Sequence, residues 1–154
     1  MTDAGETRAP RPGEELDPAA VSAFLSDELG VEAGEIVIRQ FPGGASNLTY
    51  LIAAGGRDYV LRRAPSGTKA RSAHDMGREF RILSRIHDAF PYAPRPLAYC
   101  DDPALLGEPF YLMERLQGLI LRRDLPADLS LDAAEARALC ENLVAVHAEL
   151  HDVD

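Results

Sequence analysis

The chain has 154 residues, 46% hydrophobic and 27% charged, which suits one globular domain with one core and excludes a wholly disordered polymer. Sixteen basic and 25 acidic residues give a net charge of −9 and an isoelectric point near 4.9, so the dense basic surface that nucleic-acid phosphates require is missing. No apolar run approaches the roughly 18 residues of a membrane span.

Residues 1–15 are polar, carry Pro and Gly, and lack a secretory apolar core, which predicts a flexible tail. Asp17 followed by Pro18 opens a helix that Gly30 ends, with Val21, Phe24, Leu25 and Leu29 on one face. Ile36 to Phe41 and Thr49 to Ile52 read as strands, joined by Pro42-Gly43-Gly44-Ala45-Ser46-Asn47. Gly55-Gly56-Arg57 turns into a third strand from Asp58 to Arg63. Ser72 with Asp75 has the spacing of a capping box and predicts a helix through His87, striped by Met76, Phe80, Leu83 and Ile86. Pro96 to Cys100 and Phe110 to Glu114 are the remaining strands, separated by turn-rich Asp101 to Pro109.

Short antiparallel strands with a helix laid against them make an α+β unit rather than a parallel βαβ array. Asp132 and Glu135 cap a last long helix with the stripe Leu139, Leu143, Val146 and Leu150. Nothing after that helix covers the stripe. This predicts pairing of copies, aggregation or a mobile helix. Cys100 and Cys140 lie far apart with no CxxC spacing, so the chain reads as reduced and cytoplasmic, with neither nucleic acid nor membrane as partner.

Three segments carry chemistry in combination. Small residues at Gly43 and Gly44 let backbone N–H groups approach a phosphate, and Ser46 and Asn47 add side-chain donors. Strand alternation puts Val60 and Arg62 on one face and Leu61 and Arg63 on the other. An inward Arg62 needs an anionic partner, and Glu79 on the following helix supplies it. Phe110 to Gly118 is a strand running into a glycine, where Glu114 and Leu116 offer backbone groups to the edge of a base. Taken singly, the three segments also read as a plain turn, a surface arginine and a buried strand leaving a sheet. His147 and His151 share a helical face, but no third ligand is evident and a packing role is the plainer reading.

Glycine-bearing hairpin, strand cation, helical Glu and Met113-Glu114-Arg115-Leu116 follow one another in the order of a protein-kinase N-lobe. More closely, the sequence resembles the aminoglycoside phosphotransferase family of kinase-like enzymes, in the branch associated with acyl-CoA dehydrogenases. Phe41 to Tyr50, Tyr59 to Arg63, Ser72 to Phe80 and Phe110 to Arg115 carry the resemblance. It implies a five-stranded antiparallel N-lobe over 16–113, a hinge over 114–118 and the start of a helical C-lobe over 119–154. It implies ATP as nucleotide, with Gly43, Gly44, Ser46 and Asn47 over the phosphates. Arg62 stands where kinases have lysine, and Lys69, the only lysine, lies in the loop beyond the strand. Glu79 is then its partner, Val60 is among the nucleotide-binding residues, Met113 gates the back of the adenine pocket, and Glu114 and Leu116 supply the hinge backbone contacts.

The family's His-Gly-Asp…Asn pattern and later metal-binding Asp have no counterpart after Gly118. Asp124, Asp128, Asp132 and Asn142 do not reproduce it. Mg²⁺ is therefore expected only with the remainder of the C-lobe, and this chain alone is expected to be inactive. The function implied is the ATP-binding portion of a small-molecule phosphotransferase acting on a metabolite hydroxyl. The alternative is a non-catalytic pseudokinase-like or α+β interaction module.

Overall fold

The computed structural model describes residues 6–32, 34–43, 47–67, 75–119, 121, 125–126 and 129–153. Helix α1 (Pro18–Leu29) starts where the Asp17 carboxylate accepts the Ala19 N–H at 2.9 Å, and it stops at Gly30 with φ 64°. Strands β1 (Val37–Gln40), β2 (Leu48–Ala54) and β3 (Arg57–Arg63) follow as an antiparallel meander. Gly55 and Gly56 make the β2–β3 turn with φ 56° and 73°, a left-handed pair that matches the strands' twist. A Cβ at Gly55 would stand 2.9 Å from the Val31 side chain, so the turn also packs tightly on the chain after α1.

Helix α2 (Met76–Ile86) precedes β4 (Pro96–Cys100), the short α3 (Pro103–Leu106) and β5 (Phe110–Glu114). The sheet order is β1-β2-β3-β5-β4, with every neighbouring pair antiparallel. This is the expected α+β fold, a five-stranded antiparallel sheet with packed helices. The apolar β5 lies inside the sheet, where Phe110, Tyr111 and Leu112 are at most 2% exposed. Helices α1 and α2 take opposite faces of the sheet. Val21, Phe24 and Leu25 of α1 pack with Tyr50, Ile52, Leu61, Phe110 and Leu112 on the outer face. On the inner face Met76, Phe80 and Leu83 of α2 meet Tyr99, Tyr111 and Met113. Apolar surface buried on both faces, at roughly 25 cal/mol per Å², is what holds the helices to the sheet.

Several sequence expectations are corrected. The cap of α2 is Asp75, whose carboxylate accepts the Arg78 N–H at 2.8 Å; Ser72 lies outside the described residues. The turn-rich stretch after β4 contains α3, a single helical turn held between Asp102 and Gly107. Residues 6–15, expected to be a flexible tail, are docked against the sheet. Arg8 exchanges backbone hydrogen bonds of 2.9 and 2.7 Å with Gln40 at the β1 edge. The Arg11 N–H donates to the Gln40 side-chain oxygen, and the Tyr50 hydroxyl donates to the Glu14 carbonyl at 2.7 Å. Leu16 then enters the outer core. A polar segment can dock this way because an edge strand presents unpaired backbone groups for it to bond.

Helix α4 (Ala133–His151) has the expected capping box, with the Asp132 carboxylate accepting from Glu135 and the Glu135 carboxylate accepting from Asp132. None of its residues is buried; Leu143 and Val144 are 67% and 69% exposed. Among the described residues, no helix is long and apolar enough to cross a membrane.

Candidate nucleotide site

The register of the sheet decides which side chains share the inner face. Arg39 stands opposite Leu51, Leu51 opposite Val60, and Val60 opposite Met113. One pair further along, Thr49 stands opposite Arg62 and Arg62 opposite Tyr111. Directly opposed residues point to the same face, so the inner face carries Val60, Arg62, Tyr111 and Met113 together. The other alternation sends Arg63 to the outer face. There its guanidinium is 5% exposed, donates to the Leu106 carbonyl at 2.7 Å and lies 6.0 Å from the Tyr50 ring centre.

Glu79, on the first turn of α2, is the centre of the inner-face polar cluster. Its carboxylate meets the Arg62 Nε at 3.3 Å, an ion pair whose side chains are 32% and 29% exposed. The other oxygen accepts from the Asn47 side-chain amide at 2.8 Å, and the Tyr111 hydroxyl donates to the carboxylate at 3.1 Å. Strands β3 and β5, the residue before β2 and helix α2 are thereby joined at one carboxylate. Helix α2 reaches this position because Phe80 stacks on Tyr99, with ring centres 5.7 Å apart, and sits 6.1 Å from Tyr111. The Arg62 Nε makes no hydrogen bond of good geometry. Its guanidinium is therefore held by charge rather than fully satisfied.

Beside the cluster is an open cavity of about 380 Å³ lined by Arg62, Glu79, Ile82, Leu83, Pro94, Tyr111 and Met113. Its chemistry is a cation and a carboxylate at one end and apolar side chains at the other. After β5 the Glu114 N–H donates to the Arg95 carbonyl at 2.9 Å, and the Glu114 carboxylate accepts the Arg95 N–H at 2.8 Å. The Glu114 N–H is thus engaged within the chain. Leu116 is 53% exposed.

Of the sequence-predicted site residues, Asn47, Val60, Arg62, Glu79 and Met113 come together on the inner face. Gly43 is exposed on the hairpin, while Gly44 and Ser46 lie outside the described residues. Sequence reasoning missed Tyr111 and gave Asn47 a different partner. Both depend on strand pairing, which no local pattern reveals. His147 and His151 are both exposed, with ring centres 4.6 Å apart. Among the described residues no three His, Cys, Asp or Glu side chains cluster as a metal site would need.

Comparison with known proteins decides the family. The phosphotransferase enzyme family model matches residues 37–154. The chain belongs to the phosphotransferase enzyme family. It is 36% identical over 149 residues to mouse acyl-CoA dehydrogenase family member 10, covering 96% of this chain and 14% of that protein. Human acyl-CoA dehydrogenase family member 11 is 34% identical over 148 residues, covering 93% of this chain and 19% of that protein. The crystal structure of a proposed aminoglycoside phosphotransferase from Ralstonia eutropha JMP134 superposes with a TM-score of 0.71 at 29% identity. That match covers 91% of this chain and 39% of the other. The chain therefore spans under a fifth of the dehydrogenase-family relatives and about two fifths of the structural neighbour.

The tyrosines of the inner face give a pH signature. Burial raises the Tyr111 hydroxyl well above its ordinary value near 10; Arg62 opposes the shift and Glu79 adds to it. Tyr99 is raised too, first by burial and then by Asp101 and Asp75. A phenol with a raised folded pKa is fully stabilising below about pH 10 and loses that contribution as pH climbs toward the folded value. Stability is therefore expected to be lost above about pH 10, and Tyr111→Phe should show a shallower loss. Thermal unfolding between pH 8 and 11.5 checks it; parallel curves for the two proteins would contradict it.

Proposed function

We propose that the inner face binds an adenine nucleotide as the ATP-binding portion of a small-molecule phosphotransferase. The observation that carries the reading is the Arg62–Glu79 pair beside the glycine-bearing hairpin, in a chain of the phosphotransferase family. By resemblance to the family, Gly43, Gly44, Ser46 and Asn47 are the residues assigned to the phosphates, where small residues leave backbone N–H groups open to an anion. Arg62 gives its free guanidinium edge to a phosphate while Glu79 holds the other, as a planar fork allows. Val60 covers the base, Met113 closes the back of its pocket, and the Glu114 carbonyl and Leu116 N–H face its edge.

The arrangement orients a nucleotide and neutralises part of its charge, which is the positioning share of phosphoryl transfer. The acceptor is the hydroxyl of a small metabolite. ATP supplies the phosphoryl group when bound.

Calorimetry and thermal unfolding of the chain with ATP test the reading. Ligand at ten times its Kd should stabilise the fold by about 1.4 kcal/mol. Met113→Phe, which narrows the pocket, is expected to weaken ATP binding about tenfold, since each factor of ten is ~1.4 kcal/mol. Leu116→Ala should change it less than twofold, because that residue acts through its backbone. Absence of heat and of stabilisation at millimolar ATP would leave the α+β interaction module as the reading.

A further inference from the structure

Leu51 and Val60 are only 3% and 7% exposed, although neither belongs to the clusters packed by α1 and α2. They lie at the centre of the inner face, where the base would stack. Residues 6–8, paired to the β1 edge at Arg8, hold two arginines, Arg39 and Arg115. The Arg39 guanidinium donates to the Thr7 hydroxyl at 2.7 Å and to the Thr7 carbonyl at 2.8 Å. Arg39 is the cross-strand neighbour of Leu51 on that face. From the hinge side, Arg115 meets the Glu6 carboxylate at 3.6 Å and Asp58 at 2.6 Å. Asp58 shares the alternation of Val60, so it faces the same way. Residues 6 and 7 thus lie between an arginine of β1 and an arginine of the hinge.

The path of the chain agrees. Gln40 and Tyr50, which bond Arg11 and Glu14, belong to the outer-face alternation, whereas Arg39 belongs to the inner. The segment therefore wraps the β1 edge, with Arg8 paired at the edge itself and Thr7 turned inward. Thr7 is 5% exposed, so it is packed and not merely tethered.

We propose that residues 6–8 are an autoinhibitory strap that covers the base-stacking surface of Leu51 and Val60 and must be displaced for that surface to be used. The identity of the occupant, an adenine base, rests on the function proposed above; the covering does not. Glu6 is the release point. Its carboxylate is 38% exposed and 3.6 Å from Arg115, whose largely buried side chain keeps Asp58 at 2.6 Å as its partner when Glu6 leaves.

The test uses the full chain and the variant Glu6→Lys, which sets like charges against each other at Arg115, with Glu6→Gln as the milder change. Two uncharged probes avoid confusion with phosphate electrostatics: adenosine for the base site and Nile red for exposed apolar surface. Glu6→Lys is expected to bind adenosine about fivefold more tightly and to raise Nile red fluorescence at least twofold, with Glu6→Gln between. Far-ultraviolet circular dichroism matching the parent separates release from unfolding. Unchanged Nile red binding in a folded Glu6→Lys protein would overturn the strap. So would adenosine binding that weakens while the dye signal is unchanged. A raised dye signal with no adenosine bound by any form would keep the strap and remove the nucleotide reading instead.

Discussion

Replacing Glu79 by alanine is expected to lower folding stability by about 2–3 kcal/mol and to abolish detectable ATP binding. The stability figure follows from what the carboxylate holds. It is the anion for Arg62, the acceptor for the Asn47 amide and the acceptor for the Tyr111 hydroxyl. A typical intramolecular hydrogen bond contributes about 1 kcal/mol, and one to a charged group somewhat more. Stranding a fully buried cation would cost roughly 3–5 kcal/mol, but Arg62 keeps about a third of its side chain in water, which screens the loss. Glu79→Gln should recover the Tyr111 bond and part of the Asn47 bond but not the charge, and so fall between. Denaturant unfolding of the three proteins, with Tyr111→Phe in a double-mutant cycle, measures the share of each contact. A loss below 0.5 kcal/mol, with ATP binding intact, would show that the cluster is incidental to the face.

Much of the scaffold was legible because its signals are local. Asp17 with Pro18 and Gly30 bracket α1 by capping chemistry, and Gly55-Gly56 allow the left-handed pair that a tight hairpin needs. The Arg62–Glu79 pair was legible for a physical reason as well. A period of two sends Arg62 inward, and only the next helix offers a carboxylate within reach. What could not be read depends on which strands are neighbours. Tyr111 meets Glu79 because β5 pairs with β3, across an intervening helix, strand and single helical turn. Asn47 was read as a phosphate donor, yet in the structure its amide is turned to Glu79. That contact brings the residue before β2 to the first turn of α2. Helix α3 escaped notice because four residues are too few to show a period. The docked segment escaped because its attachments are edge hydrogen bonds and arginine ties rather than an apolar stripe.

The phosphate role proposed for Arg62 leads to the second large effect. Arg62→Ala is expected to weaken ATP at least a hundredfold while weakening adenosine less than threefold. The difference isolates the phosphates, since adenosine has the base and ribose but no charge for the guanidinium to meet. A charge-assisted bond of the kind Arg62 can offer is worth roughly twice a neutral one. The geometry explains why lysine should not rescue it well. Arg62 reaches Glu79 through Nε, at 3.3 Å, which leaves the outer edge of the planar fork for a second anion. An ammonium is a point charge and would have to divide itself between Glu79 and the phosphate. Arg62→Lys should therefore retain most of the stability, through its pairing with Glu79, yet bind ATP about tenfold more weakly. Raising the salt concentration should erode the wild-type advantage for ATP and leave adenosine binding nearly unchanged. Titration calorimetry with both ligands at two ionic strengths measures each of these differences. Equal losses for ATP and adenosine in Arg62→Ala would mean that the residue supports the fold of the pocket rather than the phosphates. Full ATP affinity in Arg62→Lys would mean that the charge alone matters and the fork does not.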